Sequence, residues 1–104
     1  MKRGEVWWAE FSKPAGRRPV VLLSGEEAYQ VRELITVAPI TTRIRNLPVE
    51  VPLGLGEGLP RSCVANLDTV ITIPKKFLST RVCLLPSEKM KEINAALCFS
   101  LGLA

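Results

Sequence analysis

Arginine, lysine and threonine carry most of the reactive chemistry available to this chain, because histidine is absent and cysteine is sparse. Without histidine the usual general base at neutral pH is missing. Cys63, Cys83 and Cys98 are odd in number, widely spaced and form no CxxC pair. They are therefore expected to be reduced, buried, structural thiols, making neither a disulfide framework nor a zinc ligand set. No metal and no cofactor is expected. What remains is anion chemistry. Lys13, Arg17 and Arg18 surround one short loop, and Arg43 and Arg45 fall in another. A guanidinium presents a planar fork of donors that fits phosphate oxygens. The same residues also fit an ordinary solvated surface. As phosphate contacts they would make binding salt-dependent.

Charge and size bound the partners. There are 14 Lys and Arg against 10 Asp and Glu, a formal charge of +4 that favours a polyanion. No apolar stretch approaches the roughly 18 residues of a membrane span. Met1-Lys2-Arg3-Gly4-Glu5 leads into no signal-peptide core. A cytoplasmic chain with no membrane partner is expected. At 104 residues, 47% hydrophobic and 23% charged, residues 1–104 read as one globular domain.

The elements that must position these residues are mostly strands. Residues 4–11 read as a strand, with Trp7 and Trp8 on alternate faces, so at least one tryptophan belongs to the core and the other is free to stack on a base. Residues 12–17 form a loop. Pro19-Val20-Val21-Leu22-Leu23 is a continuous apolar run, as expected of a strand buried on both faces. Residues 25–32 make a short helical turn or loop. Leu34–Ala38 is a third strand, interrupted by Pro39, which lacks a donor; Ile40-Thr41-Thr42 should then leave the sheet or sit at its rim. Val49–Val51 follows, then a glycine-rich turn over 54–60. Further strands are expected over 62–67, 69–73 and 78–85. Beyond Pro86 the period changes: Ser87 suits an N-cap, and Met90, Ile93, Leu97 and Leu101 mark one apolar helical face. Gly102 ends that helix. Short strands closed by one helix predict a mainly β fold, a small barrel with a C-terminal α-helix.

Five stretches stand in a telling order. They are Lys2-Arg3-Gly4-Glu5-Val6-Trp7, Arg17-Arg18-Pro19-Val20-Val21, Val37-Ala38-Pro39-Ile40-Thr41, Leu67-Asp68 through Thr72-Ile73-Pro74-Lys75, and Lys91-Glu92-Ile93-Asn94 through Ser100-Leu101-Gly102-Leu103. Together they resemble the MazF/PemK (Kid) family of toxin endoribonucleases from toxin–antitoxin modules, over nearly the whole chain. The resemblance implies an SH3-like barrel of the CcdB/MazF type, a homodimer, sequence-specific cleavage of single-stranded RNA, chiefly messenger RNA, without a metal, and a cognate antitoxin that blocks the RNA site. It places the catalytic arginine at Arg18, the catalytic threonine at Thr41 and an acidic substrate contact at Asp68. The chain departs from the family in three places. Its 12–17 loop, which helps choose the RNA sequence in relatives, is short; Thr69 stands where glutamine is frequent; and Cys63 replaces an aliphatic residue.

The implied chemistry needs little from the protein. The substrate's 2′-hydroxyl attacks phosphorus, so a stabiliser for the growing phosphate charge, a proton acceptor and a donor to the leaving 5′-oxygen suffice. Arg18 suits the stabiliser and Thr41 offers a hydroxyl. Lys13, Arg17, Thr42, Arg43 and Arg45 are the expected substrate contacts. The base stays open between Asp68 and a strongly perturbed Arg18. Two other readings share the fold: a non-catalytic RNA-binding barrel, and a gyrase poison of the CcdB type. The latter depends on a terminal Trp-Gly-Ile, where this chain reads Ser100-Leu101-Gly102-Leu103-Ala104.

Overall fold

A computed structural model describes residues 1–103. Seven strands and two helices follow one another: β1 (Glu5–Glu10), β2 (Arg17–Leu22), α1 (Glu26–Val31), β3 (Leu34–Thr41), β4 (Glu50–Leu53), β5 (Cys63–Asn66), β6 (Ile71–Pro74), β7 (Leu78–Leu84) and α2 (Ser87–Leu101). Every pairing is antiparallel, in the order β4-β5-β3-β2-β1-β7, with β6 also on β3. The sheet curls into a half-barrel.

The apolar run in β2 reports its place in the middle of that sheet. Val21 and Leu23 enter one core with Val6, Ala38, Ile40, Leu67 and, from α2, Ile93 and Ala96. Val20 and Leu22 enter a second core on the opposite face with Ile35, Val37, Ile73 and Tyr29. Successive strand residues point to opposite faces, so a strand covered on both sides must be apolar throughout. Trp7 packs at the edge of the second core, so one of the two tryptophans does serve the interior. Ile93 is fully buried at the centre of the first core. Truncating it to alanine should cost about 2–5 kcal/mol through lost burial and the cavity left behind.

β3 decides where the site forms. Pro39 does not break it, contrary to the sequence expectation. Val20↔Pro39 is the end pair of the β2–β3 ladder, and Ile40↔Ala65 and Thr41↔Val64 join the strand to β5. The strand thus passes from one set of partners to another at the residue that lacks a donor, and its ordered end at Thr41 reaches the rim. Other boundaries also shift. The strand expected over 69–73 is β6, 71–74, after a turn. Pro86 caps α2 in place of Ser87, which is its first helical residue and makes no side-chain cap bond. Proline suits this entry because it has no N–H to leave unpaired.

Two glycines are required by geometry. Gly102 adopts φ +70°, and the amides of Leu103 and Gly102 bond to the carbonyls of Cys98 and Phe99 at 2.8 and 3.3 Å, a Schellman end. Gly4, at φ +92°, lies where an added Cβ would come within 3.1 Å of the Met90 sulfur, so β1 begins beneath α2. Only Cys63 of the three cysteines is buried; Cys83 is half-buried and Cys98 is exposed on α2, correcting the expectation of three interior thiols. Leu101, expected on the apolar face, is also exposed. The helix has too few partners to cover its last turn. No helix of the described residues is long and apolar enough to cross a membrane.

Candidate functional site

The β1–β2 hairpin carries the first cationic group. Its ladder sets Glu10 opposite Arg17, Ala9 opposite Arg18 and Trp8 opposite Pro19. The short loop between them closes through the Phe11 amide on the Gly16 carbonyl at 2.9 Å. β3 runs beside β2 and ends at Thr41, and the connection before β5 brings Leu59, Pro60 and Arg61 to the same rim. A cleft of about 360 Å³ opens there. Arg17, Arg18, Arg61, Thr41 and Thr42 line it, with Trp8, Ile40 and Cys63 among its apolar walls. Arg18 and Thr41, far apart in sequence, thus line one cavity.

The hydrogen bonding of these two side chains leaves their useful groups unspent. Arg18 donates Nε to the Ala15 carbonyl at 2.9 Å, which fixes the guanidinium plane. Its two terminal nitrogens have no protein partner among the described residues. The Thr41 hydroxyl accepts the Arg43 amide at 3.1 Å, so its own proton is free for an outside acceptor. A hydroxyl carries one donor and two acceptor sites. No carboxylate lines this cleft.

A second cleft of about 270 Å³ adjoins the first, lined by Pro39, Thr41, Arg43, Arg45, Asn66 and Thr69. Thr41 is common to both. Here Arg45 is tied down: its Nε meets Glu50 Oε2 at 3.3 Å, and the amides of Arg45 and Leu47 donate to Oε1 at 2.9 and 3.3 Å. Burial pushes the Glu50 carboxyl up, but the Arg45 and Leu47 amides and the Arg45 guanidinium outweigh it and hold the group below its ordinary value. Arg43 has no such carboxylate partner.

The remaining expected residues sit elsewhere. Asp68 is exposed at the β5–β6 turn, where its amide donates to Asn66 Oδ1 at 2.9 Å; it lines neither cleft. Lys13 is exposed in the hairpin loop, also outside both walls. Arg61 and Thr69 escaped notice in the sequence as site residues. Arg61 follows a glycine-rich turn, and nothing in its spacing tied it to Arg17 or Arg18. A roomier hollow, about 860 Å³ beside α1, is lined by Glu26, Glu27 and Glu33 with a single Arg32. Size favours it, but its carboxylates would repel a phosphate chain. Charge therefore points to the smaller pair of clefts. Among the described residues no three Cys, Asp or Glu side chains gather as a metal site.

Comparisons with known proteins bear on the family and the fold. Residues 2–101 match the family described as PemK-like, MazF-like toxin of type II toxin–antitoxin system. The chain is 43% identical over 96 residues to a probable endoribonuclease MazF5 of Mycobacterium tuberculosis, covering 91% of this chain and 87% of that protein. It is 31% identical over 111 residues to the endoribonuclease MazF of Staphylococcus saprophyticus, covering 99% and 92%. Its fold superposes on the Mycobacterium tuberculosis toxin MazF-mt6 with a TM-score of 0.88 at 29% identity, over 96% of this chain and 98% of that one. A mycobacterial endoribonuclease solved in complex with its cognate antitoxin gives 0.87 at 26% identity, over 100% and 97%. A match across almost every residue, with a half-barrel whose rim gathers Arg18 and Thr41, settles the kinship: the chain belongs to the PemK-like, MazF-like family of type II toxins.

Proposed function

We propose that this chain is a toxin endoribonuclease that cuts single-stranded RNA, chiefly messenger RNA, at chosen sequences, acts as a cytoplasmic homodimer and is silenced by a cognate antitoxin. The meeting of Arg18 and Thr41 on one cationic cleft carries the reading. The activity named for its relatives and the antitoxin complex of a structural neighbour support it.

The cleft supplies two of the groups that attack by a 2′-hydroxyl uses, a stabiliser of phosphate charge and a hydroxyl. The O2′–P bond forms, the P–O5′ bond breaks, the 2′ proton leaves to an acceptor and the 5′-oxygen gains one, giving a 2′,3′-cyclic phosphate. Arg18, held through Nε, aims its terminal nitrogens at the phosphate oxygens as their charge grows. Thr41 adds a hydroxyl donor. The adjoining cleft guides the strand onward, with Arg43 as its phosphate contact and Arg45 holding the loop through Glu50. Arg17, Arg61 and Thr42 add contacts at the scissile end, and Lys13 and Asp68 contribute from outside the walls. No carboxylate lines the scissile cleft, and the charged Arg18 guanidinium has no lone pair to take a proton, so the 2′ proton passes to solvent or to Asp68, which lies outside the cleft walls.

The test is cleavage of a mixed transcript pool with mapping of the new ends. Wild type should cut in EDTA and leave cyclic or 3′-phosphate ends, and a 2′-deoxy residue at the cut site should block it. Arg18→Ala should bind without cutting. A wild-type protein that binds RNA and cuts none of the pool would make this a binding module instead. Sedimentation of the pure protein should give the mass of two chains.

A further inference from the structure

Arg17 is occupied twice in the free protein. Its Nε donates to Glu10 Oε2 at 3.2 Å, and its guanidinium carbon lies 4.4 Å from the centre of the Trp8 ring. We propose that Arg17 is a movable cap on Trp8, and that RNA draws its guanidinium off Glu10 onto a phosphate, freeing the indole face to stack on a nucleobase. The inference rests on the reading of the cleft as an RNA site and assigns it a base subsite.

Four observations carry it. Trp8 is half-buried and supplies the aromatic wall of the cleft that holds Arg18 and Thr41. An aromatic ring beside a cationic track is what single-stranded nucleic acids use, since every base has a π-face. Arg17 now covers that ring at stacking distance, where a planar guanidinium and a planar base are interchangeable occupants. The ion pair that holds Arg17 is open to water on both sides, at 49% and 52% exposure, so little opposes its exchange for a phosphate. Glu10 is also not stranded when Arg17 leaves, because the Ser79 hydroxyl donates to the same oxygen at 2.9 Å. Trp7 offers no such subsite: its indole N–H is spent on Glu5 at 3.0 Å and it packs on the inner core.

The measurement uses the wild-type protein with its two indole N–H groups labelled with ¹⁵N, assigned through Trp7→Phe. The probe is a fully 2′-O-methyl single strand bearing the sequence found at mapped cut sites, which binds but lacks the attacking hydroxyl. Saturation should move the Trp8 resonance and leave that of Trp7. In cleavage assays Trp8→Leu should raise KM about tenfold while Trp8→Phe keeps most of the affinity, as stacking predicts. Glu10→Gln should raise kcat/KM about threefold at low salt, because a competitor for Arg17 is gone. If the probe binds by anisotropy and the Trp8 resonance stays still, or if Glu10→Gln lowers activity, the cap is refuted while the RNA site stands. If the transcript pool is neither bound nor cut, the RNA reading itself fails and the cap falls with it.

Discussion

Two arginine–glutamate pairs stand on either side of Thr41, and they differ in depth. Behind the wall of the second cleft the Glu50 side chain is almost entirely buried, 2% exposed, and three bonds join it to Arg45 and Leu47. Outside the wall of the first, Glu10 is half-exposed and holds Arg17 by one bond. A buried carboxylate stripped of its partners leaves an uncompensated charge, whereas an exposed pair exchanges partners with water at little cost. Glu50–Arg45 is therefore a loop anchor and Glu10–Arg17 a releasable contact. Arginines alike in sequence thus divide by the solvent exposure of their partners into fixed and available cations, with Arg18 and Arg43 unclamped by any carboxylate.

Substitutions can break this contrast in order of effect. Arg18→Ala should lower kcat by about 100- to 1,000-fold, the usual loss for a donor aimed at developing charge, with RNA binding kept. Thr41→Val preserves the strand shape and removes the hydroxyl, so its single-turnover rate should fall about tenfold, less than for Arg18, at unchanged circular dichroism. Arg43→Ala should instead weaken binding and reduce the salt slope of log Kd by about 0.7, one phosphate's share for a single strand, with the saturated cleavage rate retained. Equal losses of chemistry for Arg43→Ala and Arg18→Ala would erase the division between a scissile and a guiding cleft.

Stability sharpens the comparison further. Glu50→Gln should lower the thermal midpoint clearly, whereas Glu10→Gln should change stability by less than about 1 kcal/mol. Acid should act the same way. The Glu50 carboxyl lies below its ordinary value of 4.5 when folded. So does that of Glu5, which burial would raise but for the Arg81, Trp7 and Lys2 bonds. A depressed folded value favours the charged form, so this stability is complete above pH 4.5 and fades as pH falls through the lower folded values. Urea titrations across that window should show the fade in wild type and a smaller one in Glu50→Gln.

Much of the fold was legible along the chain. The unbroken apolar run at 19–23 announced a strand between two cores, the change of period after Pro86 announced α2, and Gly102 announced its end, because each is a local consequence of backbone geometry. Arg18 and Thr41 were singled out by their motifs, and the fold sets both on one cleft. Pro39 misled because a missing donor is harmless where a strand changes neighbours, and that change is not written in the residue. Cys98 and Leu101 misled because helical period shows which positions share a face, not how much of that face finds cover. The sequence by itself determined the elements, the basic excess and the family pattern, since propensity, charge and motif spacing are local. Only the tertiary structure decided that Arg61 and Trp8 share a cleft with Arg18, that Asp68 and Lys13 stand outside it, and which arginine is anchored. Those depend on how a curled sheet brings distant strand ends to one rim, and on how much water reaches each carboxylate there.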